Sequence, residues 1–248
     1  MDMIESILGS IDGGKVLDVA TNEGHFVQVL MEDLHSYSEI IGIDISEPAI
    51  EKARNNLFQE NVKFLVMNAE QLDFENESFD TVNASASLHH LANIQRVLGE
   101  MERVLKPGGR FIIVEMHRDG QTEAELTSIY LHQWVAEVDS ALNNLHNRTL
   151  ARQEIVDNVA RLGLRKIECF DQRDTDSDPK EKARTEQLEG LIERTIQRAE
   201  NTKNYSDLKE RGRELYQRLH NVGAQREPLL LIIGEKYVYH KQQPYKCQ

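Results

Sequence analysis

Through residue 116, short β-branched apolar runs alternate with stretches whose apolar residues recur at helical spacing, and few architectures satisfy that alternation. Candidate strands occupy 15–19, 39–44, 62–66, 79–84 and 110–116, with candidate helices at about 24–35, 48–60 and 93–105 between them. Connections this short between strand and helix predict a parallel α/β sheet with helices on both faces. Near-continuous apolar strands such as Phe111-Ile-Ile-Val-Glu-Met116 fit burial on both sides. The Lys106-Pro-Gly-Gly109 run is expected to stop the third helix ahead of the fifth strand.

From residue 120 the pattern changes. Thr122 and Glu125 form a capping box, followed by an amphipathic helix to about 147 with an apolar stripe of Tyr130, Trp134, Val138, Ala141 and Leu145. A helix at 152–162 leads into a strand at 164–170. Asp178-Pro179-Lys180-Glu181 then supplies an N-cap, an N1 proline and an acid at N3 for the first helix of a hairpin spanning 178–226. The last strand is 229–235. The expectation is an α/β, seven-stranded, doubly wound, mostly parallel sheet in one domain over 1–248, with a helical cap segment at 120–150 and the hairpin as an insertion. The hairpin reads as a solvated excursion, an active-site lid or the surface of a homodimer.

Charge and composition narrow the partners. The chain has a formal net charge of −13, and residues 1–119 alone carry 9 basic against 21 acidic side chains. Nucleic-acid binding draws its affinity from Lys and Arg on phosphates, so no nucleic-acid partner is expected. No apolar run approaches the roughly 18 residues of a membrane span, so no membrane partner is expected either. Two cysteines, Cys169 and Cys247, are too few for a disulfide scaffold and lack metal spacing, and a reducing, cytoplasmic setting is the default.

In such a sheet a ligand sits beyond the C-terminal ends of the strands, at the switch point of strand order. The first strand runs into Val16-Leu-Asp-Val-Ala-Thr-Asn-Glu-Gly-His25 and the second ends in Gly42-Ile-Asp-Ile-Ser46. Asp44, 20 residues after Gly24, is placed to take both hydroxyls of a ribose. A nucleotide-type cofactor follows, and nicotinamide dinucleotide stays open at this point. The loop nevertheless lacks Gly-x-Gly-x-x-Gly, and Asp18 would repel a phosphate and suit a cation.

These stretches resemble class I S-adenosylmethionine-dependent methyltransferases, of the group that includes quinone-biosynthesis methyltransferases. The resemblance covers about 14–116 and rests on six segments in order: the Val16–Gly24 loop, the Asp44 strand end, Asn68-Ala-Glu-Gln-Leu-Asp-Phe74, Ser78-Phe-Asp-Thr-Val82, Ser87-Leu-His-His-Leu91 and Val104-Leu-Lys-Pro-Gly-Gly-Arg-Phe111. It implies a Rossmann-like methyltransferase fold with an antiparallel final strand, and S-adenosyl-L-methionine as cofactor. Asp18, Ala20, Thr21, Asn22 and Gly24 would then shape the loop against the methionine part. Asp44 would hold the ribose, Ile45 would pack on the adenine, and Asn68, Ala69 and Glu70 would meet the adenine edge, with Ser85 near the methionine end. Ala20 and Asn22 stand where the family commonly has glycine, and Asn68 where it often has Asp.

Methyl transfer from a sulfonium needs positioning and, for many acceptors, a base. His89 and His90 follow the fourth strand and His117 ends the fifth, so an imidazole pair above the methyl group is the candidate catalytic set; the other reading makes His89 or His90 a hydrogen-bonded loop residue that shapes the cofactor pocket. His132, Asp139, Asn143 and His146 fall within about 60° of one another on a helix, a stripe expected to face the substrate. No metal is expected, because no local His-x-x-x-His pair supports one. With about a dozen residues ahead of the first strand, closure over the acceptor is expected from the 120–150 helix, the hairpin or a partner subunit. The sequence thus reads as a methyltransferase of a small-molecule acceptor. A noncatalytic or assembly-type binder of the same cofactor and a protein or RNA methyltransferase are the alternatives.

Overall fold

The computed structural model describes residues 3–142 and 146–237, so the expectations for Asn143, Leu145 and Cys247 lie outside the described residues. Seven strands form one sheet: β1 (Lys15–Val19), β2 (Glu39–Asp44), β3 (Val62–Val66), β4 (Phe79–Ser85), β5 (Leu105–Met116), β6 (Leu164–Gln172) and β7 (Leu229–Lys236). Their order is β3-β2-β1-β4-β5-β7-β6. Pairings from β3 to β5 are parallel, while β7 runs antiparallel to both β5 and β6. The mostly parallel, doubly wound sheet is the expected one, and its strand order reverses beside β1, where the first loop lies.

Side-chain alternation along each strand splits the core into two faces. Val16, Ile40, Ile112 and Leu231 pack beneath α1 (Met3–Leu8), α2 (His25–Asp33) and α3 (Glu47–Asn56). Leu17, Val82, Phe111 and Ile113 pack on the other side beneath α4 (Ile94–Val104) and α6 (Arg152–Ala160). The short α1 was not legible, since six residues carry too little periodicity; it buries Ile4 and Leu8 on the sheet. The Lys106–Gly109 segment belongs to β5 rather than preceding it. The β4–β5 register shifts between Phe79 and Thr81, and a Cβ on Gly109 would meet Asp80 O at 2.7 Å.

The second half builds its own core. α5 (Glu123–Ala141) starts with the expected capping box: Glu125 N donates to Thr122 Oγ1 at 3.2 Å and Thr122 N to Glu125 Oε2 at 2.7 Å. It ends at Ala141, short of 147, and Tyr130 on the expected apolar stripe is 41% exposed. Trp134, Leu131 and Val138 meet Ile192 and Ala199 of α7 (Lys182–Ala199) and Leu208, Leu215 and Leu219 of α8 (Tyr205–Val222). α7 begins at Lys182 rather than at Pro179. Asp178 instead closes a turn, accepting from Glu181 N at 2.9 Å, and Pro179 O accepts Ala224 N to join the two ends of the hairpin. The hairpin therefore packs on α5 as a three-helix unit, which the sequence could not show because the contacts are long-range.

Trp134 Nε1 donates to Leu208 O at 2.9 Å, and Gly212 lets α8 approach: a Cβ there would meet Trp134 Cζ2 at 2.7 Å. Gly212→Ala should therefore destabilise the chain by about 1–3 kcal/mol through overpacking. Exposed Gly99 of α4 has nothing within 4 Å of its Cβ position, and Gly99→Ala should stabilise by up to about 1 kcal/mol. Urea denaturation of the two variants, read as shifts of opposite sign, checks this.

Candidate active site

A cleft of about 870 Å³ opens beyond the C-terminal ends of β1, β2, β3 and β4. Its floor is the loop after β1. Ala20, Asn22 and Gly24 all take left-handed backbone angles (φ 57°, 50° and 86°), and the turn closes by Gly24 N donating to Thr21 O at 2.9 Å. Ala and Asn thus adopt the conformation that glycine takes without strain. That conformation costs Ala roughly 1–2 kcal/mol, more than glycine's extra freedom in the unfolded chain.

Asp44 ties this loop to β2. One carboxylate oxygen accepts Asn22 N and the other accepts Ser46 N, both at 2.9 Å, which holds the group at the cleft wall. Each oxygen can still accept a further bond. Ile45 beside it is 72% exposed, an aliphatic surface that a planar base can cover. Asn68 Oδ1 accepts Glu70 N at 2.9 Å, so its carbonyl shapes the turn after β3 that lines the same wall as Ala69.

Asp18 is the other acid of the cleft and is 1% exposed. Parallel register sets it opposite Asn83 of β4, whose Nδ2 donates to Asp18 Oδ1 at 2.5 Å, while Oδ2 is buried without a hydrogen bond of good geometry. Burial raises its pKa from 3.8 to about 7, against the opposing pull of Thr21 and Asn83, and the charge of Asp44 adds to the rise. Asn83 was missed in the sequence. Its signal is a polar residue within an apolar strand run, which register alone pairs with Asp18.

Across the cleft, Ser85 ends β4 and leads to a 3-10 turn, Leu88–His90. Glu115 of β5, 1% exposed, fixes that turn. Its Oε2 accepts Ser87 N at 3.0 Å and Leu88 N at 2.7 Å, and its Oε1 lies 3.3 Å from His89 Nδ1. The turn separates the two histidines. His90 lines the cleft, whereas His89 is 1% exposed behind it. His25, at the start of α2, also lines the cleft and was not anticipated.

His117 does not join them. Its backbone N–H donates to Pro228 O at 3.2 Å, and its ring lies 3.7 Å from Asp171 of β6, away from the cleft lining. Burial lowers its pKa despite Asp171 and Asp119 nearby. The expected pair above a methyl group is therefore not formed: the chain after β5 bonds Pro228, just ahead of β7, and carries the His117 ring toward Asp171.

His132, Asp139 and His146 do meet, by another route than expected. α5 ends before His146, and beyond it Asn147 N donates to His89 O at 2.9 Å. His146 Nδ1 then lies 2.7 Å from Asp139 Oδ2, and its Nε2 lies 3.0 Å from His132 Nε2. Although burial pushes the Asp139 carboxyl up, the His146 ring and the Arg198 guanidinium hold it below the usual range. Burial, with the neighbouring imidazoles, lowers His132 to about 3. Neither α5 nor α7 nor α8 supplies a described residue to the cleft lining. The stripe reaches the cleft only through His90, whose ring centroid is 4.2 Å from that of His146.

A doubly wound sheet with an acid at the end of β2 and a left-handed loop after β1 defines an α/β protein whose cleft lies at the switch point of strand order. The model of the methyltransferase-domain family matches residues 11–185, and the chain belongs to that family. Among similar proteins, the demethylmenaquinone methyltransferase of Lactococcus lactis is 37% identical over 111 residues, 44% of this chain and 44% of that enzyme. The matched stretch thus spans less than half of that enzyme's length. In fold, the YcgJ protein of Bacillus subtilis superposes with a TM-score of 0.60 over 96% of this chain and 97% of its own, at 18% identity. Phosphoethanolamine N-methyltransferase 2 of Haemonchus contortus, in complex with S-adenosylhomocysteine, gives 0.58 over 94% of this chain and 51% of its own, at 17% identity.

The raised pKa of Asp18 has a pH signature. The folded chain holds this proton more tightly than the unfolded one, so the stability it contributes is complete below pH 3.8 and is lost as the pH rises through about 7. Asp18→Asn should flatten the fall in stability between about pH 4 and pH 7, read by thermal melts across that range; an unchanged slope would assign the titration elsewhere. At the neighbouring turn, Ala20→Gly should stabilise by about 0.5–1 kcal/mol in urea denaturation, since relieved strain exceeds added chain entropy.

Proposed function

We propose that this chain is an S-adenosylmethionine-dependent methyltransferase of a small-molecule acceptor. One observation carries the reading: two acids of one cleft, buried Asp18 of β1 with an unpaired oxygen and Asp44 at the end of β2, flank the loop after β1, Asp44 through Asn22 N. The spacing suits a ligand with a ribose and a cationic amino acid moiety. It suits a pyrophosphate poorly, since a buried acid lies where phosphate oxygens would approach. Family membership and the name of the Lactococcus relative support the same reading.

When bound, the cofactor supplies an activated methyl on a sulfonium. The chain's part is to hold and aim. Asp44, already oriented by Asn22 and Ser46, would accept from the ribose hydroxyls. Asn83 keeps Asp18 turned into the cleft, where its carboxylate would meet the ammonium of the methionine part. Ile45 and Met67 would flank the adenine, with Asn68, Ala69 and Glu70 at its edge. His90, on the turn that Glu115 holds, is the imidazole of the cleft nearest Ser85 in sequence and would accept the acceptor's proton. The relative's name makes a demethylated quinol the first acceptor to assay, in a reducing, cytoplasmic setting.

Binding separates this reading from its rivals. Isothermal titration should show S-adenosylhomocysteine binding and no NAD binding, and Asp44→Asn should weaken the former at least tenfold, about 1.4 kcal/mol. Binding of NAD alone would overturn the proposal. Once an acceptor is found, His90→Ala should lower kcat about 100-fold or more with S-adenosylhomocysteine affinity retained, the range for loss of a general base. Unchanged kcat would remove His90 from the chemistry.

A further inference from the structure

Behind the cleft wall, four imidazoles stand in contact. The ring centroids of His89, His90, His132 and His146 lie 4.2 to 5.6 Å apart in the pairs that touch. Three of them, His89, His132 and His146, bring one ligand nitrogen each to within 4.8 Å of the others. They come from three separate segments: the turn after β4, the middle of α5, and the chain beyond the end of α5. His89 is 1% exposed, and its Nε2 has no hydrogen-bond partner. An orphaned aromatic nitrogen at that depth calls for a partner such as an ion.

We propose that His89, His132 and His146 form a binding site for a divalent first-row transition metal of the zinc class. Imidazole nitrogens suit zinc, and a tetrahedral centre with bonds of about 2.0–2.1 Å sets ligand nitrogens roughly 3.3 Å apart. The His132 and His146 Nε2 atoms are 3.0 Å apart already, and side-chain adjustment on the order of 1 Å brings His89 to the same centre. The outer contacts are those that metal-ligating histidines use. Asp139 takes the Nδ1 side of His146 at 2.7 Å, and Glu115 faces the Nδ1 side of His89 at 3.3 Å, which leaves each Nε2 for an ion. Arg198 pairs with the other oxygen of Asp139 and so fixes the carboxylate that orients His146.

Between His132 and His146 one Nε2 carries the shared proton. Moving that proton to the Nδ1 of His132 leaves both nitrogens bare without a change in charge. Three protein ligands leave one coordination position open. His90, in ring contact with both His89 and His146, lines the cleft, so the site adjoins the cleft wall without belonging to its lining. His117, 3.7 Å from Asp171, is not part of it. The site's existence does not depend on the methyltransferase reading.

Cobalt(II) is the probe. Untagged full-length chain, stripped with chelator, should bind one equivalent of Co(II) with the visible absorption band of a four-coordinate centre, and one equivalent of Zn(II) should displace it. His132→Gln and His146→Gln should each weaken Co(II) binding at least 100-fold, and Asp139→Asn about 10- to 100-fold. His117→Gln should bind as the parent does. Thermal melts of each variant confirm folding, and either of the two ligand variants suffices if the other unfolds. No stoichiometric Co(II) binding, or equal binding by the folded ligand variants, would overturn the site. S-adenosylhomocysteine titrated into the same stripped chain reports on the cofactor cleft separately, so a failure of one leaves the other standing.

Discussion

The carboxylate of Glu115 sits 1% exposed at the end of β5 and accepts the backbone N–H groups of Ser87, Leu88 and Met116. Two of these amides, of Ser87 and Leu88, lock the turn after β4 to the next strand, where solvent cannot compete for them. The turn that carries His89 and His90 at the far wall of the cleft is fixed by that lock. Ser85 is held at the rim, His90 is turned toward the cleft, and His89 is turned away from it toward the imidazole cluster. Removing Glu115 would leave those amides unpaired in the interior, a cost of about 1–3 kcal/mol for each.

The near wall is organised by a second pair of acids with different jobs. Asp44 is partly exposed and spends hydrogen bonds on Asn22 and Ser46, so its geometry is set by backbone. Asp18 is buried, has one side-chain donor, and carries a pKa of about 7. A cation arriving beside Asp18 would favour its ionised form, so the strain of burying this carboxylate is relieved only by a ligand of the right charge. These two acids of residues 1–119 face the cleft, while others such as Glu39 and Asp80 are engaged with lysines at the opposite, N-terminal ends of the strands.

The sheet was legible in the sequence because each strand is a short β-branched run, and Asp18, Asn22 and Asp44 were legible because the cleft sits where the strand order reverses. Long-range geometry was not legible. The polar spacing of α5 pointed to His132 and Asp139, but His146 joins them from beyond the end of α5 rather than by helical phase. His117 looked like a partner for His90 because both follow strand ends, yet its backbone bonds Pro228 ahead of β7 and its ring lies toward Asp171. Asn83 needed the β1–β4 register, and the hairpin's partner needed the Trp134 contact.

The central claim is that the cleft between Asp44 and His90 receives an S-adenosyl cofactor. A crystal structure of the chain with S-adenosylhomocysteine tests it most directly. The account predicts the ribose hydroxyls within hydrogen-bond distance of the Asp44 carboxylate, the ammonium group facing Asp18, and the sulfur on the side of Ser85 and His90. Ligand density outside this cleft, or with the ribose away from Asp44, would contradict it.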